Sequence, residues 1–282
     1  MKRFKFHIYP ENIVLRLLLR YIVYPLLFAV IILYLLSYIV LLKTDKIVVI
    51  GNTTVYVSDN EDFHFSSDSI AQYVHYGIDR LRGNGVDTDL DTRIIFCHNL
   101  CEYRLRNFFM QSYSFAETRW VLNRIMVAPL VRKEDVEAEL ERFKQDTVCS
   151  PYYVDEIISH ELTHIYQREK LGDLCTLWCS LFEHWKIEGF ADYKANHSML
   201  RVALGEKMFM EGRYSDKELD VEESFFENYF VGRLRTDYLL NYKNVSEEEY
   251  WKTHYDVKTL DEEIRTALRT GEYKIFKQSD YE

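Results

Sequence analysis

Two histidines four residues apart, His160 and His164, restrict what this chain can fold into more than any other feature. Positions i and i+4 lie on the same face of an α-helix, so a helix here brings both imidazoles to one metal ion. Glu161 projects beside them and is placed to act as a general base toward a water molecule at that ion. The spacing therefore predicts a metal-binding helix. The ordinary alternative is a pair of surface histidines on an amphipathic helix.

Local signals set the bounds of this helix. Ser150-Pro151 is typical of an N-cap followed by a proline at the first helical position. Leu171-Gly172 is typical of a helix end. Between them, apolar residues recur with helical spacing at Val154, Ile157, Ile158, Leu162 and Ile165. Both histidines are thus predicted in the middle of the helix, where fraying at the ends does not reach them.

A second helix is predicted to supply the third ligand. Glu188 lies 24 positions after His164, which leaves room for a connector and a helix that returns to the site. Catalytic zinc sites hold three protein ligands and leave the fourth position open. Asp192, one turn beyond Glu188, can accept the free N–H of a ligand histidine. The alternative is an ordinary charged helix surface, but an unpaired carboxylate is costly among apolar neighbours such as Trp185, Ile187, Phe190 and Tyr193.

The two segments together resemble the gluzincin group of zinc metallopeptidases, the peptidase MA-like proteins, and most of all their bacterial members. That group carries a HExxH helix and a glutamate third ligand, often within W-x-x-E-G-x-A-x-Y, a pattern that residues 185–193 reproduce. The resemblance covers about residues 94–240, with its specific part confined to 155–193. It implies a peptide or protein substrate, Glu161 as general base and acid, and one zinc ion held by His160, His164 and Glu188. Gly189 is predicted to let the two metal-binding helices approach closely.

Gluzincin aminopeptidases also have a tyrosine in a Y-x-x-G sequence, which donates a hydrogen bond to the oxyanion of the transition state. Tyr229-Phe-Val-Gly232 has this form, so the resemblance implies Tyr229 as that donor. Because the chain contains 22 tyrosines, a purely packing role is the alternative. His184 and His197 are alternative donors, and His184, one turn before Glu188, is also an alternative metal ligand.

The remaining periodicities predict an α+β fold, with a small mixed sheet followed by a mainly helical C-terminal lobe. Residues 47–57, interrupted by Gly51-Asn52, are predicted as a hairpin, and residues 93–97 as a strand. Apolar spacing over 69–82 predicts a helix closed by Gly83. The charged segment 132–145 is predicted as a surface helix.

Residues 120–128 are β-branched and apolar up to Pro129, so we expect a strand there. In gluzincins an edge strand before the zinc helix pairs with the extended substrate, and this segment is the candidate for that role. An interior strand fits the sequence equally well.

Residues 21–42 contain no charged side chain and are mostly Leu, Ile, Val, Phe and Tyr. As a helix they would extend roughly 33 Å, enough to cross a hydrocarbon core of roughly 30 Å. A cleaved signal peptide and a helix buried in a soluble core are the alternatives, but no small-residue cleavage site follows the run. We therefore expect a transmembrane signal anchor. Five basic residues precede it and only Lys43 and Lys46 follow closely, which predicts a cytoplasmic N-terminus and an extracytoplasmic catalytic domain.

The predicted organisation is a cytoplasmic N-terminus at 1–20, the anchor at 21–42, a β-containing lobe at 43–148 and a helical lobe with the metal ligands at 149–282. After the anchor the chain has 30 basic and 44 acidic residues. This balance argues against nucleic acid as a partner. The five cysteines permit disulfides outside the cell, and their odd number leaves at least one thiol free or intermolecular.

These features together predict a membrane-anchored zinc metallopeptidase that hydrolyses peptide bonds. A non-catalytic, zinc-stabilised ectodomain that binds a protein or envelope partner is the alternative. An intramembrane zinc protease is disfavoured, because Arg168, Glu169, Lys170 and Asp173 lie close to the histidines and would be costly inside a bilayer.

Overall fold

A computed structural model describes residues 17–29, 31–32, 44–58, 67–97, 100–106, 116–119, 123–128, 154–197, 200–217 and 221–275. These residues form a mixed α+β structure with a five-stranded sheet and a mostly helical remainder. The predicted cap at Ser150-Pro151 and the predicted helix at 132–145 lie outside the described residues.

The sheet has the spatial order β1-β2-β3-β5-β4. Its strands are β1 (Thr44–Ile50), β2 (Thr53–Ser58), β3 (Thr92–Phe96), β4 (Ala116–Arg119) and β5 (Arg124–Val127). The two outer pairs, β1 with β2 and β4 with β5, are antiparallel, while β2, β3 and β5 run parallel. The predicted hairpin at 47–57 is confirmed, with Gly51 at a φ of 57° in its turn.

The prediction of an edge strand at 120–128 is wrong. The strand is shorter, β5, and lies between β3 and β4, so its interior alternative is the correct one. The outer strand on that side is β4, whose sequence Ala-Glu-Thr-Arg lacks the apolar alternation of a half-buried strand. Among the described residues, none pairs with its outer edge.

The helices follow in chain order and carry most of the C-terminal lobe. They are α1 (Ser67–Gly83), α2 (Leu100–Arg106), α3 (Val154–Leu171), α4 (Asp173–Phe182), α5 (His184–Ala195), α6 (Val202–Glu211), α7 (Glu223–Phe225, Phe226–Val231, Gly232–Asp237 and Tyr238–Tyr242 in continuous succession), α8 (Glu247–Lys252) and α9 (Val257–Thr270). In α7 the second and fourth segments are π-helical.

Apolar side chains of the sheet alternate between two layers, because successive strand residues point to opposite faces. Ile94 and Ile125 join the main core, whereas Ile95 and Met126 face a smaller cluster that contains Tyr103 of α2. The predicted inner face of α1 is buried in the main core at Ile70, Val74, Ile78 and Leu81. The predicted metal-binding helix, α3, packs against α1 and ends as predicted at Leu171, followed by Gly172 at a φ of 77°.

Between the two predicted metal-binding helices, the chain forms an additional short helix, α4. Its one face carries large apolar side chains at a helical spacing of three and four residues. Their exposed fractions are 84% for Leu174, 43% for Leu177, 60% for Trp178, 66% for Leu181 and 64% for Phe182. The opposite face is anchored through buried Thr176 and Cys179. The described cysteines, Cys97, Cys101, Cys175 and Cys179, form no disulfide with one another.

Gly189 permits a close approach, but not the predicted one. A Cβ on Gly189 would lie 2.1 Å from the carbonyl carbon of Gly232, so the helix that approaches is α7 and not α3. A Cβ on Gly232 would in turn lie 2.6 Å from the carbonyl oxygen of Trp185. The backbones of α5 and α7 therefore touch at a pair of glycines.

A second set of contacts holds the start of α5. Lys186 is fully buried, and its ammonium group lies 3.0 Å from Glu183 and 2.6 Å from the carbonyl oxygen of Thr253. The rings of Tyr250 and Tyr255 lie 5.7 and 5.1 Å from the same ammonium group. Paired in this way, a buried charge fixes one end of α5 to the C-terminal helices.

The predicted membrane span is only partly described. Residues 17–29 and 31–32 are helical, with a π-helical segment at Leu19–Val23, and residues 30 and 33–42 lie outside the described residues. The helices within the described part of the chain include none that is both long and apolar enough to cross a membrane.

We predict that Gly189→Ala destabilises the protein by about 2–4 kcal/mol, because the added methyl group meets backbone atoms that cannot rotate away. Thermal and urea unfolding of the purified chain measure this change. Gly83→Ala is the matched control, since a Cβ there has no heavy atom within 4 Å, and it should change stability by no more than about 0.5 kcal/mol. Equal stabilities of the two variants would contradict the close helix contact.

Candidate metal centre

Two packed helices, α3 and α5, bring the predicted ligands together. His160 is buried in the middle of α3, His164 follows one turn later, and Glu188 projects from α5. Gln167 joins the helices, since its side-chain amide donates to the carbonyl oxygen of Ile187 at 2.8 Å. The i,i+4 spacing on one helix and the return of the second helix are the two features that the sequence predicted.

The three ligand atoms form a nearly regular triangle. His160 Nε2 lies 3.1 Å from His164 Nε2 and 3.2 Å from Glu188 Oε2, and the third side, His164 Nε2 to Glu188 Oε2, is 3.6 Å. Atoms bound at about 2.0–2.1 Å to one tetrahedral ion lie about 3.3–3.4 Å from one another. The sides of the triangle are close to these values, so the three side chains could hold a single metal ion. Within the described residues, this is the group of His, Cys, Asp and Glu side chains whose atoms could hold one.

The other ring nitrogens of the two histidines face oxygen acceptors. His160 Nδ1 lies 2.7 Å from Asp192 Oδ1, and His164 Nδ1 lies 2.9 Å from Gln167 Oε1. An oxygen acceptor at Nδ1 favours the tautomer with its proton there, which leaves the Nε2 lone pair for a metal. The contact of Asp192 is the one that the sequence predicted. Gln167 was missed, although its i+3 position relative to His164 is a signal for such a contact.

His184 contacts the carboxylate of Glu188 without joining the triangle. Its Nε2 lies 3.2 Å from Glu188 Oε1, whereas His160 and His164 contact Oε2. His184 is 45% exposed at the start of α5, whereas Glu188 is largely buried. The structure thus makes His184 a neighbour of the third ligand, and it does not bring this residue among the close donor atoms.

The predicted base, Glu161, is held by a hydrogen bond from the sheet. Thr118 of β4 places its hydroxyl oxygen 2.5 Å from Glu161 Oε2 and 2.9 Å from the backbone carbonyl oxygen of Glu161. Thr118 carries no motif signal, because its contact with Glu161 spans 43 residues of sequence. Sequence reasoning accordingly missed it.

Tyr229 also lies at the site. Its ring stacks against that of His160 with the centroids 6.1 Å apart, and its hydroxyl forms a hydrogen bond with Glu188. The residue belongs to a π-helical turn of α7, a backbone form often found at functional sites. His197, an alternative donor in the sequence, lies elsewhere, with its Nδ1 2.9 Å from Glu156.

The pKa values of the ligands reflect mutual compensation of buried charges. Burial alone lowers the pKa of His160, but hydrogen bonds and charge from Asp192 and Glu188 outweigh it and hold that pKa well above the ordinary value. For His164, burial also lowers the pKa, yet the charge of Glu188 raises it overall. Burial raises the pKa of Glu188, but His164 and the hydrogen bonds from the histidines bring it well below its ordinary value.

The pKa of Tyr229 is raised well above its ordinary value, first by the charge of Glu188 and then by burial. The phenol is therefore protonated at neutral pH and can donate a hydrogen bond.

Comparison with known proteins adds no relative, since neither a protein-family model nor a curated protein matches the chain.

We predict that a rise in pH through the folded-state pKa of His160 removes stability from the metal-free cluster but strengthens its binding of metal. Without metal, the raised pKa of His160 contributes stability that is present below about pH 6.5 and lost as pH rises through the folded-state value. The lowered pKa of Glu188 contributes stability that is present above about pH 4.5 and lost as pH falls through its folded-state value.

Metal binding requires both histidines deprotonated, so apparent metal affinity should rise with pH and binding should release protons. The increase in melting temperature on adding metal should consequently grow between pH 6 and 8. Calorimetry in two buffers of different ionisation enthalpy counts the released protons. An affinity that is independent of pH would contradict the assigned ligands.

Proposed function

We propose that this protein is a gluzincin-type zinc metallopeptidase. The observation that carries the proposal is the triangle of His160, His164 and Glu188 atoms, with sides of 3.1–3.6 Å. The charge of Glu161 is close enough to raise the pKa of His164. Two imidazoles and one carboxylate are a usual ligand set of catalytic zinc, which keeps its fourth position open. Zinc held there would supply a Lewis acid that polarises a peptide carbonyl and favours deprotonation of water.

The chain's own residues would handle the proton and the developing charge. Glu161 would take a proton from the attacking water and pass it to the amine nitrogen of the leaving group. Tyr229, protonated and next to Glu188, would donate a hydrogen bond to the oxygen that becomes negative in the transition state. Asp192 and Gln167 would hold the two imidazoles in orientation.

The substrate would extend along β4. This strand lies at the border of the sheet and contacts Glu161 through Thr118, so a peptide paired with its outer edge would pass the site. Strand addition gives affinity through main-chain hydrogen bonds and demands few particular side chains. We therefore propose an extended peptide or an unfolded protein segment as the substrate class.

Glu161→Gln should retain one zinc ion per chain and lower turnover of a susceptible peptide by roughly 10²–10⁴-fold, because the ligands remain and only the base is removed. Metal analysis of the purified chain, combined with a peptide-library digest with and without chelator, measures both quantities. His164→Ala serves as the contrasting variant and should lose the metal. Full turnover by Glu161→Gln would exclude the proposed mechanism.

A second function is favoured by one observation, the apolar face of α4, the helix between α3 and α5, with exposed fractions of 43–84%. Such faces mark interaction surfaces. A non-catalytic, zinc-stabilised domain that binds a protein or envelope partner would show a melting temperature lowered by chelator and no hydrolysis of any library peptide. The digest described for Glu161→Gln therefore separates the two functions.

We also propose that residues 21–42 anchor the protein in a membrane, with the catalytic domain outside the cytoplasm. Support comes from the uncharged run itself and from the basic residues that precede it. Strand β1 begins at Thr44, so the folded domain would follow the anchor almost directly.

The full chain should remain in the membrane fraction during extraction with alkaline carbonate. This treatment breaks electrostatic contacts with the membrane but does not release an apolar span from the bilayer. A variant without residues 21–42 should appear in the soluble fraction. Release of the intact full chain by carbonate would contradict the anchor.

A further inference from the structure

One hydroxyl group connects the sheet to the proposed base. Thr118 Oγ1 lies 2.5 Å from Glu161 Oε2 and 2.9 Å from the backbone carbonyl oxygen of the same residue. Both oxygens are acceptors when the carboxylate is ionised, and Thr118 has a single hydroxyl proton to donate. A hydrogen bond to a carboxylate is stronger than one to a neutral carbonyl, so the proton points to Oε2 in this state.

The contact fixes the direction of the carboxylate. A glutamate side chain has three rotatable bonds, and its terminal torsion is broad when nothing holds it. With Oε2 bonded to Thr118, the second oxygen, Oε1, is left for water and substrate. The α3 backbone on one side and β4 on the other thus define where a proton can be taken up.

The same contact persists in the other protonation state. When Glu161 takes up a proton on Oε1, Oε2 becomes the carbonyl-type oxygen of the carboxyl group and still accepts the hydroxyl proton of Thr118. No heavy atom has to move for this change. The base therefore keeps a hydrogen bond both before and after it accepts a proton, which suits a group that must also release it.

We propose that Thr118 is a positioning residue for Glu161 and that it couples the base to the strand along which substrate would extend. This inference rests on the proposed function for its catalytic consequence, but the orientation of Glu161 can be measured without any reaction. Because positioning acts on the chemical step, its loss should lower kcat and leave KM nearly unchanged.

The test compares Thr118→Val, which keeps the shape and removes the hydroxyl, with Thr118→Ser, which keeps the hydroxyl. In the full chain, Thr118→Val should lower kcat about 10–100-fold at a KM within about 3-fold of the wild type. Thr118→Ser should restore kcat to within about 3-fold of the wild type. Zinc content should remain one ion per chain in both variants.

Thr92→Val is the matched control for loss of a strand threonine hydroxyl. Thr92 lies on β3, and its hydroxyl donates to the carbonyl oxygen of Asn123 at 3.0 Å, away from the metal ligands. This control should show a small loss of stability with unchanged kcat. An equal loss of kcat in Thr92→Val and Thr118→Val would mean that the effect arises from the sheet as a whole, and would overturn the inference.

A spectroscopic measurement keeps the inference independent of hydrolysis. Cobalt(II) bound in place of zinc reports the surroundings of the ion through its visible absorption spectrum. The Thr118→Val spectrum should move toward that of Glu161→Gln, whereas the spectrum of Thr118→Ser should match that of the wild type.

The possible outcomes test the proposed peptidase activity and the positioning role of Thr118 separately. Wild-type protein that binds cobalt but cleaves no peptide would remove the proposed activity, and the three spectra would still decide whether Thr118 orients Glu161. Active protein in which Thr118→Val matches the wild type in both kcat and spectrum would overturn the inference alone. A chain that binds neither zinc nor cobalt would remove both.

Discussion

The structure depends on the compensation of charge between two buried helix faces. The packing of α3 against α5 removes His160, Glu188 and Asp192 from water, which is unfavourable for each group alone. Together they compensate one another's charge, as the raised pKa of His160 and the lowered pKa of Glu188 indicate. The same arrangement leaves the Nε2 atoms and one carboxylate oxygen converging on a single point. Stability of the helix pair and preparation for a metal ion therefore have a common physical origin.

Three sets of contacts hold the α3–α5 pair in place. Glycines 189 and 232 bring α7 against α5, and this contact sets Tyr229, three residues before the second glycine, over the ring of His160. Buried Lys186 ties the start of α5 to the C-terminal helices. From the sheet, β4 reaches Glu161 through Thr118. Each set of contacts either supplies a group that the proposed chemistry would use or orients such a group.

Features that depend on local sequence patterns could be predicted from the sequence. The C-terminal end of α3, the buried face of α1 and the hairpin turn at Gly51 all follow from spacing and backbone preference. Features that depend on distant pairing could not. The sequence of β5 has no property that separates an interior strand from an edge strand, and β4 shows almost no strand pattern. Gly189 indicated a close contact between helices but not which helix makes it. The contact of Thr118 with Glu161 could be recognised only in the folded structure.

The two histidines of the site are chemically unequal, because a carboxylate stands behind His160 and a neutral amide behind His164. The negative partner enriches the first imidazole with electron density, while the amide merely orients the second. An incoming cation would consequently meet one strong and one ordinary donor.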